Sequence, residues 1–175
     1  EGLLPISQIA MNPLRIERRE KTIYDGVGGL TTYTVNFPVW FEPMAEGPTP
    51  MFEALELAYR EVEAFVRKFP NSYPPVVMNL TDGQPTDESG RMTPTVLQQV
   101  ESAAQRIRNL QTTDGGVLLF NLHISASPGR QIWFPDNESQ LPEEYARLMF
   151  RMSSVMPGPL ILAARRMLPQ QHIAD

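Results

Sequence analysis

Two uncharged apolar runs, "VVMNL" at 76–80 and "VLLFNLHI" at 117–124, constrain the fold more than anything else in the chain. Each has strand length, and neither alternates apolar with polar residues, the pattern of strands buried on both faces of a parallel sheet. Between them Thr93 and Pro94 read as a helix cap and first helical residue, followed by Leu97, Val100, Ala104, Ile107 and Leu110 at helical spacing. Strand, crossover helix and strand make one right-handed unit. The fold class that follows is α/β, with an open, mostly parallel sheet carrying helices on both faces.

The rest of the chain fits around that unit. "YTVNFPVWF", 33–41, reads as a strand in which Pro38 marks an edge or an end, because proline cannot donate to a ladder. Thr49 and Pro50 repeat the cap-and-proline signal ahead of a helix over 50–68. "LPEEYARLMFRMSSV" gives a third helix and "GPLILAARRML" a fourth. Residues 1–32 read as a loop-rich excursion, with "RIERREK" a solvated charged face and "DGVGGL" a glycine loop. The expected organisation is a single domain over 1–175: the excursion 1–32, a core over 33–155, and a C-terminal helix and tail over 156–175. A chain of 175 residues buries about two thirds of its unfolded surface, enough for one core.

Charge and composition narrow the partners. With 15 basic and 20 acidic residues the net charge is −5, and no dense run of Lys or Arg exists to neutralise phosphates, so nucleic acid is not an expected partner. No run of about 18 apolar residues suggests a membrane span. The absence of cysteine excludes disulfides and thiolate metal sites. A cytoplasmic location is the expectation.

In open α/β sheets ligands bind beyond the carboxyl ends of the strands. The loop with Thr49 and the turn with Asp82 both belong there. Together "GPTPMFEALELA" and "NLTDGQPTD" resemble two of the three loops of a von Willebrand factor type A domain, and the chain is similar to the stand-alone bacterial proteins of that family. The resemblance covers about 33–155. It implies a Rossmann-like sheet and a metal-ion-dependent adhesion site, in which a divalent cation (Mg²⁺, or Ca²⁺ or Mn²⁺) is held by Thr49, by Asp82 and by an Asp-x-Ser-x-Ser motif. A hard cation suits such oxygen donors and keeps a position that an acidic side chain of a partner protein fills. The implied function is protein interaction, with no bond made or broken. Metal ligands carried over are Thr49 and Asp82; no catalytic residue is.

Asp-x-Ser-x-Ser itself occurs nowhere in residues 1–175. In "DESGR", Asp87 and Ser89 fit but Arg91 stands in the last position; in "HISAS", His123 replaces the carboxylate ahead of Ser125 and Ser127. The resemblance puts the missing motif on a central strand upstream of Glu1, so the sheet is expected to be incomplete at its N-terminal side, and to pair with another copy or with the missing segment. Two alternatives stay open: a metal-free scaffold with a degenerate site, and an α/β hydrolase using Asp82, His123 and Ser125 or Ser127. Without the family, Thr49 reads as a helix cap, Asp82 and Asp87 as turn residues, His123 as a half-buried strand-end histidine, His172 as solvated, and Trp40 and Trp133 as packing.

Overall fold

The computed structural model describes residues 4–24, 26, 28–42, 47–124 and 132–167. The chain divides into two compact units at residues 46 and 47.

The first unit is a hairpin with a short helix. Helix α1 (Ile6–Met11) buries no residue. Strands β1 (Arg15–Tyr24) and β2 (Leu30–Val39) pair antiparallel, in register from Arg15 opposite Val39 to Tyr24 opposite Leu30. Gly26 and Gly28 lie in the connection with φ of 82° and 95°, a left-handed conformation that glycine adopts without steric cost. The charged patch expected to be loop is therefore a strand. Its charges sit two apart on one face, where Glu17 takes hydrogen bonds from Arg15 Nε at 2.8 Å and Arg19 Nη2 at 2.7 Å. Arg19 also lies over the Phe37 ring, 3.7 Å from its centre, a diagonal cross-strand contact. Arg15 reaches Glu42 as well. Pro38 falls next to the end of β2, where its missing N–H costs little.

The second unit holds the core. Strands β3 (Val76–Thr81) and β6 (Leu118–His123) run parallel, with Val76 opposite Leu118 and Thr81 opposite His123. Helix α3 (Pro94–Arg108) connects them, and Thr93 caps it by accepting from Val96 N at 3.2 Å, with Pro94 in the first turn. After α3 a tight ribbon, β4 (Gln111–Thr112) and β5 (Gly115–Gly116), turns the chain back. Helix α2 (Met51–Lys68) packs on α3, and α4 (Glu144–Met152) packs on β6 and α3. The core joins Met51 and Leu55 of α2, Val100, Ala104 and Ile107 of α3, Leu119 of β6, and Leu148, Met149 and Met152 of α4. Burying each such side chain is favourable by roughly 1.5–3 kcal/mol. A last helix, α5 (Gly158–Met167), buries no residue.

The result is a mixed α/β fold with a small parallel sheet, and the described sheets have two strands each. Expectation and structure part at the second face. Side chains at 77, 79 and 81 of β3, with 119, 121 and 123 of β6, point to the core. Opposite them Met78 is 72% and Leu80 62% exposed, with Val76, Leu122 and Ile124 also exposed. Helices α2, α3 and α4 all share one core, which leaves much of that outer face exposed, although Leu118 is buried and Phe120 half-buried. The edges differ too. On β6 the Leu119 N–H donates to Ser154 Oγ at 2.9 Å and the Leu119 carbonyl accepts from Ser154 N at 2.7 Å, so this edge is blunted. The far edge of β3 has no strand partner among the described residues.

Candidate functional site

At the carboxyl end of the parallel pair, the chain leaves β3 at Thr81 and turns at once. The Thr81 hydroxyl donates to the Gly83 carbonyl at 3.0 Å and accepts from Gly83 N at 3.2 Å, closing a turn that leaves Asp82 exposed at its tip. Thr49 arrives from the other side. Thr49 N donates to Thr86 Oγ1 at 2.8 Å, and Thr86 N donates to the Thr49 carbonyl at 3.1 Å, so the two loops are joined by two bonds.

Gly83 is where they meet. A Cβ built on Gly83 would lie 2.7 Å from Thr49 Oγ1, closer than two such atoms can approach. Only the bare Cα of glycine lets the Thr49 hydroxyl sit beside the Asp82 turn.

Two Thr-Pro pairs that look alike in sequence are used differently. Thr93 gives its hydroxyl to cap α3. Thr49 does not cap α2: Pro50 takes the N-cap position, with no side-chain cap bond. Two hydrogen bonds to Thr86 hold the Thr49 backbone one residue outside the helix, where its hydroxyl lies beside Gly83. The expected cap at Thr49 is thus corrected, and the correction leaves a hydroxyl oxygen outside the helix ladder.

The other sequence candidates are local. Asp87 Oδ1 accepts from Ser89 N at 2.9 Å, Ser89 Oγ at 2.5 Å and Arg91 N at 3.0 Å. These bonds, the Ser89 hydroxyl first, hold the Asp87 carboxyl below its usual range. Asp87 therefore closes its own loop, and "DESGR" is a turn. His123 is half-buried, its ring edge-on to Tyr145 with centroids 4.8 Å apart. That matches a packing role. Trp40 donates from Nε1 to the Ile9 carbonyl at 2.7 Å, a packing role in the hairpin unit. Ser125, Ser127 and His172 lie outside the described residues.

Three residues near this end carry weight that sequence reading passed over. Asn79 and Asn121 face each other across β3 and β6, both half-buried, Asn79 Nδ2 donating to Asn121 Oδ1 at 2.9 Å. Asn121 Nδ2 donates in turn to the Met149 carbonyl at 3.2 Å and to Ser153 Oγ at 3.0 Å. The signal was present: each apolar run holds one asparagine, two positions before its strand ends. The third is Tyr145, in the first turn of α4 and 5% exposed. Its hydroxyl is buried, with the Thr81 hydroxyl as its polar neighbour. Burial pushes its pKa up, the Thr81 hydroxyl works against that rise, and the Asp82 carboxylate adds to it.

For a cation the donor set is suitable in kind and short in number. The Thr49 hydroxyl lies beside Gly83, the residue after Asp82, while no group of three or more His, Asp or Glu side chains converges among the described residues. A hard divalent ion coordinates about six oxygens. Thr49 and Asp82 fit as part of such a set, with further oxygens left to water, another segment or a ligand. No helix among the described residues is long and apolar enough to cross a membrane. No family model, curated protein or solved structure matches this chain.

Proposed function

We propose that this chain is a protein-interaction module of the von Willebrand factor type A kind, binding its partner through a divalent-cation site to which it contributes Thr49 and Asp82. The observation that carries the reading is the approach of the Thr49 hydroxyl to Gly83, which sets a neutral oxygen beside the Asp82 turn at the carboxyl end of a parallel strand. When bound, the cation supplies residual positive charge to which a partner's carboxylate is drawn. The chain's own work is positional. Thr86 holds the Thr49 loop, Thr81 holds the Asp82 turn, and Gly83 keeps the gap between them open. No residue is assigned a bond-making role, and the module is read as a non-enzymatic, cytoplasmic adaptor of another protein. The free β3 edge is read as the place of a further strand in an open sheet of the type A pattern.

A second reading, a metal-free scaffold, draws on the exposed apolar face of Met78, Leu80 and Leu122. Calorimetric titration with Mn²⁺ separates the two. Asp82→Ala is expected to abolish Mn²⁺ binding with the fold retained, and His123→Ala to leave it unchanged. Gly83→Ala should weaken it by pushing the Thr49 hydroxyl aside. Wild-type chain that takes up no Mn²⁺ at millimolar concentration would favour the scaffold.

A further inference from the structure

The free edge of β3 has a definite chemical pattern. On the β6 side the Pro75 and Thr81 carbonyls accept from Leu118 N at 3.0 Å and Ile124 N at 2.9 Å. Backbone groups alternate sides along a strand, so residues 77 and 79 also face β6, while the N–H and C=O of Val76, Met78 and Leu80 face the free edge. No strand among the described residues takes them up. The strand reads VVMNLT, with neither charge nor proline, so it carries none of the usual guards against edge pairing. Side chains of the same three residues stand on the outer face, 42%, 72% and 62% exposed. Such an edge is complementary to itself. Turned antiparallel about a twofold axis at Met78, the strand meets a copy with Met78 opposite Met78 and Val76 opposite Leu80. In that register every edge-facing N–H and C=O finds a partner, and apolar side chains meet across the outer row. A slip by one residue would turn one copy's apolar row to the other face.

We propose that β3 is a dimerisation strand: two copies of this chain pair β3 on β3, antiparallel about Met78, into one four-stranded sheet with β6 on each outer side. The occupant is a second copy because the strand matches itself in backbone and side chains, with no charge to repel it. Growth stops at two. The opposite edge of the sheet is closed where Leu119 bonds Ser154 through both its N–H and its C=O, so each chain offers this sheet one open edge and the contact is the same patch on both copies. Pairing also answers a weakness of the single chain, since a two-stranded sheet is marginal and one of three or more strands with an apolar face is not. The proposal names the strand for which the reading above leaves room at this edge, and it needs no cation.

The test is cross-linking of the full chain. It contains no cysteine, so a single introduced one can link only to a second copy. Directly opposed, hydrogen-bonded residues have Cα atoms about 5.5 Å apart, within the roughly 4.4–6.8 Å that a disulfide spans. Met78→Cys is therefore expected to give a disulfide-linked dimer under mild oxidation. Val76→Cys is expected to give little or none, because Val76 lies about 14 Å along the ladder from its own copy. Wild-type chain should scatter light at twice the mass of one chain, with or without chelator. Equal cross-linking in the two variants, or none in either, overturns the proposal. A wild-type chain that stays monomeric over the whole concentration range overturns it too, whatever the Mn²⁺ titration gives. So does a dimer that chelator dissolves, since association then belongs to the cation site and not to the strand edge.

Discussion

The hairpin unit and the helix–sheet unit use opposite means to hold two strands together. Strands β1 and β2 pair over ten residues each, yet Val39 is their one buried residue, and their side chains interact through Glu17, its arginines and the Thr22–Thr32 hydroxyl pair at 2.9 Å. Strands β3 and β6 pair over six residues but bury Leu119 and pack the half-buried Val77 against a core shared with three helices. Two-stranded ribbons are marginal in water, and exposed ion pairs add little because solvent and salt screen them. Apolar burial is not screened. A short strand with a core is thus expected to outlast a long one without.

The widest separation between the units lies in association. The outer face of β3 and β6 and the free β3 edge should draw a second copy, since parallel sheets are normally covered on both faces. Light scattering of wild type is expected to show mass rising with concentration, and Leu80→Lys to return it to monomer. A wild-type monomer at all concentrations would count against an unfinished sheet.

Within the core, Leu119→Ala should lower the unfolding free energy by about 3 kcal/mol, the usual cost of a cavity at a fully buried leucine. Denaturant unfolding measures it. A loss below about 1 kcal/mol would mean that the core relaxes around the gap. Next comes Asn121→Ala, which takes the acceptor from Asn79 and a donor from Ser153. Roughly 1–2 kcal/mol is expected, the cost of leaving half-buried polar groups without their partners.

The two Thr-Pro pairs give a finer comparison. Thr93→Ala should cost about 1 kcal/mol through loss of the α3 cap, while Thr49→Ala should have less effect because its hydroxyl caps nothing. Equal losses in the two variants would show that Thr49 supports α2 after all.

The smallest effect belongs to the hairpin. Hydrogen bonds from Arg19 first, and then Arg15, hold the Glu17 carboxyl below its usual range. A group lowered in this way stabilises the hairpin above the ordinary glutamate range, and that contribution fades as pH falls through its lowered pKa. NMR shifts of β1 should follow this loss in wild type and not in Glu17→Gln, with core signals unmoved. High salt should flatten the dependence as well.

Local chemistry made much of this molecule legible in advance. Apolar spacing and proline gave α2, α3, β3 and β6 nearly to the residue, because helix and strand periods are properties of the backbone and need no distant partner. Pro38 and the Thr93 cap were legible for the same reason. Strand β1 was not, since alternating charges say little until a partner strand sets a register. Nor was the bare outer face, since an apolar run looks the same whether one side or both will be covered. At the candidate site the sequence by itself offered Thr49 and Asp82, and two Thr-Pro pairs with no means of telling them apart. Only the tertiary structure decided that one hydroxyl caps a helix while the other lies against Gly83, and that Tyr145 of α4 comes to rest edge-on against His123 at the end of β6. These are contacts between segments far apart in the chain, fixed by how helices seat on a sheet and not by any neighbour in sequence.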